Sequence, residues 1–366
     1  MHLQRLQLIN FKNYADVETA FSAHVNVLTG KNGSGKTNLL DAVYYLSLTK
    51  SAFSISDNHC IKIGEPFFMV KGVFELQNNE RSEVLASVQS GSKKNFRENG
   101  LEYQKLGDHI GKYPIVLISP DDTDLIKESG DARRKFFDSI ISQFDRGYLE
   151  SLLQYNHALK QRNSLLRMFH ESGTFDKVAI ETYDEVLTRH GMAIFKKRHE
   201  FVREFVPVFQ NYYSTIVASE HVDLTYDSGL NNKSFAEGLS ECLRRDQILQ
   251  RTNFGIHKDD YVFRLGSGDL KRLGSQGQQK SFVIALKLAQ HKTLENHKGF
   301  KPILLLDDIF DKLDDFRISK LIELIHQDKG QIFLTDARPD RTKDLLKGLE
   351  VSAFLFDVDD GHLRPK

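Results

Sequence analysis

The chain is short of the features that would mark a secreted, membrane-spanning or broadly nucleic-acid-attracting protein. Its 366 residues include only two cysteines, Cys60 and Cys242, which offer neither a disulfide framework nor zinc-ligand spacing and suit a reducing compartment. Charge of one sign is also lacking. Lysine plus arginine and aspartate plus glutamate stand at 50 each, so no global basic field exists and any binding to DNA needs a local patch. No apolar run approaches the roughly 18 residues that cross a bilayer. The start, "MHLQRLQLINF", has no basic n-region followed by an apolar h-region, the pattern of a secretory signal. Internal repeats and low-complexity tracts are missing too, and the longest basic runs are three residues. What remains is an ordinary globular composition, 40% hydrophobic and 27% charged, long enough for one large core or two modest ones. The expectation is a soluble, intracellular protein.

Along the chain the texture changes twice. Residues 2–9 and 24–28 read as short strands, and 67 to 118 holds several β-prone runs, "FFMVKGVFEL", "SEVLASVQ", "KNFRENG" and "PIVLIS", between Gly and Asn punctuation. After Ser119-Pro120 strand character fades. Phe136, Phe137, Ile140, Ile141 and Phe144, then Leu149, Leu152 and Leu153, recur at helical spacing. A further amphipathic helix, "IFKKRHEFVREFVPVFQNYY", should end or kink at Pro207. Strand signals return at 222–226, 261–265, 302–306 and 331–335, with helices from about 276 and near 316–327.

The first chemical motif is "GKNGSGKT", Gly30 to Thr37, set between a strand and a helix. Its glycines let the backbone curl so that successive N–H groups face a phosphate, and the helix start adds its dipole and unsatisfied amides. Lys31, Asn32, Gly33, Ser34, Gly35 and Asn38 belong to the same nucleotide-binding segment. Lys36 brings a cation to the β/γ oxygens and Thr37 a hydroxyl to Mg²⁺. The second motif is "PILLLDDIFDKLDD", a buried-strand run ending in Asp307-Asp308. A carboxylate at the carboxyl end of a parallel strand suits a ligand site. Asp307 is the candidate Mg²⁺ residue, and Asp308 the candidate base that orients or deprotonates water. The alternative is a pair of acidic N-cap residues. If both motifs serve one nucleotide, the two ends of the chain must meet in one sheet. A third feature is "LGSQGQQKSFVIALKLAQ", where Ser275, Gln276, Gly277 and Gln278 form a helix start fit for an anion. Its alternative is a serine-capped loop with no ligand.

The order phosphate loop, long insertion, serine/glycine helix start and acidic strand resembles the ATPase heads of the ABC class. The match sharpens along the chain. "LINFKNY" (8–14), "GKNGSGKTNLLDAVYYLSLTKS" (30–51), "LISPDDTDLIKESGDARRKFFD" (117–138) and "YNHALKQRNSLL" (155–166) resemble the RecF family of bacterial gap-repair ATPases, as do "GIHKDDYVF" (255–263), "GSQGQQKS" (274–281) and "PILLLDDIFDKLD" (302–314). Departures are Ile256, where that family often has proline, the lack of proline near Asp131 and Ala132, and Asp311-Lys312 before Leu313.

The resemblance implies an α/β fold: an ABC-type P-loop ATPase head split in sequence by a mainly helical insertion. The head would comprise 1–120 and 216–366, and the insertion 121–215. It also implies ATP and Mg²⁺ as cofactors and an ATP-dependent homodimer in which Ser275, Gln276, Gly277 and Gln278 serve the nucleotide of the partner. DNA, single-stranded, gapped or at junctions, would be bound, RecO and RecR would be partners, and weak hydrolysis would time dimer release. In related heads the turn after the first strand lies by the nucleotide, so Lys12 and Asn13 join the cofactor-binding candidates. Thr335 and Asp336 stand where many related ATPases carry a histidine.

Three basic clusters could meet DNA phosphates: Lys93, Lys94 and Arg97; Arg133 and Arg134; and Lys196, Lys197 and Arg198. Each could equally be a solvated face, and Arg133 and Arg134 could anchor the insertion through salt bridges. The polar run from His257 to Asp260 reads either as a structural loop or as a metal site. Beside a metabolic P-loop kinase, which would leave the helix start at Ser275 without a job, two other functions compete with the DNA-repair switch. One is a chromosome-maintenance head, but Gly30 and Ser275 are only about 240 residues apart and no sustained heptads supply long arms. The other is a scaffold that binds ATP without much hydrolysis.

Overall fold

The computed structural model describes residues 1–217, 220–309, 323, 330–338, 341 and 353–365. Apart from residue 323, the helix expected near 316–327 lies outside the described residues, as does the Asp311-Lys312 pair. By contact density the chain forms two compact units. The first comprises Met1–Asp122, Thr215–Val217 and Val283–Lys366, and the second Thr123–Ser214 and Ala218–Phe282.

The first unit contains two six-stranded sheets. One is antiparallel and is built from His2–Phe11, Tyr14–Ala20, Phe67–Glu75, Arg81–Gln89, Asn95–Glu98 and Leu101–Glu102. Its central strands bury alternate residues: Phe68, Val70, Gly72 and Phe74 on one, Ser82, Val84, Ala86 and Val88 on the next. That period of two turns one face to the core and leaves the other partly exposed, with Met69, Val73 and Leu85 interspersed among its polar residues. The helix Lys36–Leu48 contacts this sheet. Gly72 permits the approach, because a Cβ there would stand 2.5 Å from Leu46 Cδ1.

The other sheet runs in the order His362–Pro365, Ala353–Asp359, Val25–Thr29, Ile332–Asp336, Ile303–Leu306, Ile115–Ile118. All of its pairings are parallel except that of the outermost hairpin. Val25–Thr29, Ile332–Asp336, Ile303–Leu306 and Ile115–Ile118 are buried at every position, as strands covered on both faces must be. The register aligns the strand ends: Thr29 pairs with Asp336 and Asp357, and Leu306 with Leu334 and Ile118. Residues from both ends of the sequence therefore converge at one edge, the carboxyl edge where open α/β sheets bind ligands.

The second unit holds the helices Gly130–Phe144, Arg146–Ser172 and Phe235–Leu249, most of Lys177–Ile216, and a three-stranded antiparallel sheet of Val222–Asp227, Asp260–Leu265 and Gly268–Asp269. Its aromatic core brings Phe137 to 4.0 Å from Tyr261 and 5.6 Å from Phe205, centroid to centroid. Ser234 and Glu237 form a reciprocal capping box on Phe235–Leu249. The helix Lys177–Ile216 runs on through Pro207 to Ile216, so proline does not end it there.

The contact division differs from the sequence expectation in placing Ala218–Phe282 with the helical insertion rather than with the head. The reason is packing. Tyr261 packs tilted against Phe137, and Asp260 accepts from both Nε and Nη2 of Arg133, each at 2.8 Å. No described helix is long and apolar enough to cross a membrane.

Candidate nucleotide site

The phosphate loop follows the buried strand Val25–Thr29 and runs into the helix Lys36–Leu48. Gly35 is the N-cap, at φ 117°, and a Cβ there would stand 2.5 Å from the Asn13 side-chain nitrogen. Only glycine meets both demands. Asn13 Nδ2 donates to the Ser34 carbonyl at 3.0 Å, Asn38 Nδ2 donates to Asn13 Oδ1 at 2.8 Å, and the Tyr14 hydroxyl donates to the Gly35 carbonyl at 2.9 Å. The Gly361 amide also donates to the Ser34 carbonyl, at 3.0 Å. The loop is thus held from outside by residues close to both ends of the chain.

On the inner side, Lys36 Nζ donates to the Gly30 and Lys31 carbonyls at 2.7 and 2.9 Å. Burial lowers the pKa of this ammonium, while Asp308, Asp307 and Asp336 oppose the shift. Thr37 Oγ1 lies 3.0 and 2.9 Å from the two carboxylate oxygens of Asp307. Burial raises the pKa of Asp307, against the hydroxyls of Thr335 and Thr37, and the neighbouring Asp308 adds to the rise. Asn32, Gly33, Gly35, Lys36, Thr37, Asn38, Asp307, Asp308 and Thr335 line a cleft of about 280 Å³. All belong to the first unit.

These residues fit a Mg²⁺-bound triphosphate. The Ser34 hydroxyl is buried with no hydrogen-bond partner, a donor with an unmet need. The curled loop leaves open space at Gly33, and the ammonium of Lys36 is bonded to neutral carbonyls. Thr37 and Asp307 supply the hard oxygens that Mg²⁺ takes.

Other candidates are differently engaged. Lys12 Nζ is 2.6 Å from the buried carboxylate of Asp41, on the phosphate-loop helix, and near the Phe11 and Phe53 rings. Ser275 and Gln278 cap the helix Gln276–Lys298 reciprocally: the Ser275 amide donates to Gln278 Oε1 at 2.8 Å, and the Gln278 amide to Ser275 Oγ at 3.2 Å. Gln278 Nε2 also donates to Glu220 at 2.8 Å. Ser275 and Gln276 are exposed, and Gly277 is half-buried.

Several members of the basic clusters are engaged within the fold, Arg133 and Arg134 in the anchoring alternative. Arg198, 1% exposed, donates to both oxygens of Asp138 at 3.0 and 2.8 Å and to the Ile256 carbonyl at 2.9 Å. Arg133 is buried on Asp260 and on the Leu125 and Glu128 carbonyls, and Arg134 donates to the Asp259 carbonyl at 2.6 Å. Lys94 lies 2.7 Å from Asp57 and 2.5 Å from the Thr49 carbonyl, and Lys197 lies 2.9 Å from Asp145. A cation neutralised by a carboxylate within the fold is a poor anchor for a phosphate, and the burial of Arg133 and Arg198 keeps their guanidinium groups from the surface. Lys93, Arg97 and Lys196 keep exposed side chains. The His257 ring is bonded through both nitrogens, to the Tyr155 hydroxyl at 2.8 Å and the Thr252 carbonyl at 3.0 Å, and burial lowers its pKa to about 4. No group of three or more metal-ligating side chains occurs among the described residues, and Asp259 and Asp260 of the same run are bonded to Tyr226 and Arg133.

Thr335, whose part the sequence left open, joins the site: its hydroxyl donates to Asp307 Oδ1 and accepts from the Asp308 amide, each at 2.8 Å. Asp336 is buried and bonded by the Arg338 amide and Arg341 Nη2.

A phosphate loop and strand-end aspartates at the carboxyl edge of a largely parallel sheet define an ATPase head of the ABC/SMC type. The RecF/RecN/SMC N terminal domain family matches residues 2–353. The chain is 45% identical to the DNA replication and repair protein RecF of Flavobacterium johnsoniae, over 98% of this chain and 100% of that one. It is 43% identical to RecF of Cytophaga hutchinsonii, over 99% and 96%. Among solved structures it is similar to the recombination mediator protein RecF-ATP in the RecFOR pathway, with TM-score 0.91, 28% identity and coverage of 100% and 97%. An Smc head bound to the C-winged helix domain of ScpA shares the fold, with TM-score 0.59 and 16% identity, over 100% and 97%. The chain belongs to the RecF family.

Proposed function

We propose that this chain is an ATP-driven switch of DNA repair, in which two protomers associate face to face in the ATP-bound state and grip DNA at single-strand gaps or junctions. The observation that carries the reading is the junction of Thr37 with Asp307 beside Lys36, in one cleft. In this reading Lys36 and the loop amides hold the phosphates, Thr37 and Asp307 hold Mg²⁺, and Asn13 fixes the loop next to the nucleoside. Asp308 orients or deprotonates water. When bound, Mg²⁺-ATP supplies a compact set of charges that both protomers can share. Ser275, Gln276, Gly277 and Gln278 then close on the phosphates of the partner's cleft. Support comes from the exposed helix start with its own cap and from a cleft lined by the first unit alone.

Closure in the ATP state and release after hydrolysis make nucleotide a timer, because a ligand that favours one state shifts the equilibrium by its differential affinity. Work with RecO and RecR in loading recombinase onto single-stranded DNA is part of this reading, supported by the likeness to a recombination mediator protein of the RecFOR pathway. Lys93, Arg97 and Lys196 are the remaining basic candidates for DNA phosphates. The test is fluorescence anisotropy on a gapped duplex, with and without ATP. ATP should tighten binding in the wild type and not in Lys36→Ala; equal affinity in all four cases contradicts the switch.

A further inference from the structure

Thr335 is fully buried in the strand Ile332–Asp336, one strand away from the Asp307 and Asp308 pair. Its hydroxyl has one proton and must serve two neighbours of opposite polarity. The Asp308 amide can only donate, so the oxygen of Thr335 accepts there, at 2.8 Å. The single proton is then directed to Asp307 Oδ1, also at 2.8 Å. The direction of both bonds follows from chemistry alone.

The consequence differs for the two carboxylates. Asp307 is tethered twice, by Thr335 from the sheet and by Thr37 from the phosphate-loop helix. The hydroxyl of Thr37 is also the one expected to serve Mg²⁺, whereas that of Thr335 is bound on both sides within the protein. Asp308 takes φ 46°, a left-handed conformation uncommon outside glycine, and its amide is held there by Thr335. A β-branched side chain in a strand is stiff about χ1, which suits a fixed strut.

We propose that Thr335 is the positioning residue for divalent-cation binding in this cleft. Its hydroxyl aims Asp307 at the cation and holds the Asp308 backbone beside it, so that cation-dependent affinity, rather than affinity for the bare nucleotide, depends on it. The inference rests on the nucleotide reading above and adds a residue that the motifs do not name.

The experiment titrates a ribose-labelled fluorescent ATP analogue into wild type, Thr335→Ser and Thr335→Val, in EDTA and at saturating Mg²⁺. Valine keeps the shape and removes the hydroxyl. In EDTA the three proteins bind within about threefold of each other. The gain in affinity on adding Mg²⁺ is kept by Thr335→Ser and reduced by about tenfold or more in Thr335→Val, the size expected for losing a hydrogen bond to a charged group. ATP turnover follows the same order. A full Mg²⁺ gain in Thr335→Val overturns the proposal, as does an equal loss in EDTA, which marks a general distortion of the loop. If the valine variant does not fold, Thr335→Ala takes its place with the same expectation. Wild type that binds no nucleotide in either condition overturns the nucleotide reading, and this inference with it.

Discussion

Thr37 and Asp307, 270 positions apart in the chain, meet with 2.9 Å between the hydroxyl and the nearer carboxylate oxygen. Neither residue can choose that distance alone. It is set by the parallel pairing that lines up Thr29 with Asp336, and Leu334 with Leu306. Asp307→Asn keeps the shape and removes the charge, so it should leave nucleotide affinity in EDTA within about threefold of wild type and abolish Mg²⁺-stimulated hydrolysis. Phosphate release at varied Mg²⁺ measures this.

Lys36 is the ammonium poised against the loop carbonyls. Lys36→Ala should weaken ATP binding by about a hundredfold, the upper range for a charge-assisted hydrogen bond, with little change in thermal midpoint. Isothermal titration and a melting curve separate the two effects.

Arg198 tests the reassignment of the basic clusters. Its buried pairing with Asp138 makes Arg198→Ala a stability mutant, costing about 3–5 kcal/mol because the carboxylate is left unpaired. Urea denaturation should show that loss. Lys196→Ala, at an exposed position, should leave stability within about 0.5 kcal/mol.

His109 gives the pH dependence. It is fully buried, its Nε2 lies 2.6 Å from the Leu46 carbonyl on the phosphate-loop helix, and burial lowers its pKa to about 4 from 6.5, against the Leu46 carbonyl and Glu98. Between those values the unfolded chain binds the proton and the folded one does not, so stability falls as pH drops from 6.5 to about 4. The full contribution is at most about 3 kcal/mol. Urea midpoints from pH 7 to 4 should decline in wild type and decline less in His109→Gln.

Legibility in the sequence followed how local each signal was. The phosphate loop was readable because glycine spacing, lysine and threonine all fall within eight residues, and the acidic strand because its apolar run ends abruptly at Asp307. Thr335 carried no such mark: a threonine closing an apolar strand is ordinary until the parallel register sets it beside Asp307. Arg198 read as part of a surface patch, and Arg133 and Arg134 as either a patch or anchors of the insertion, because their partners lie far along the chain. Asp260 is 127 positions from Arg133 and Asp138 is 60 from Arg198, and no local pattern announces such pairs. Pro207 shows the same limit from the other side, since its helix continues to Ile216 although local propensity argues for a stop.

The helix start at Ser275 separates binding from assembly. Ser275→Arg places a long cation at an exposed cap. It should leave monomer affinity for the fluorescent ATP analogue within about threefold, the EDTA limit set above, while preventing ATP-driven association and hydrolysis. Lost binding in the monomer would mean that the segment serves its own cleft.

The most direct test of the ATP switch is light scattering on wild type, Asp308→Asn and Lys36→Ala, with and without Mg²⁺-ATP. The account predicts that ATP doubles the mass of the wild type transiently and that of Asp308→Asn persistently, and leaves Lys36→Ala a monomer. A wild type and Asp308→Asn that stay monomeric at every ATP and protein concentration tested contradict it.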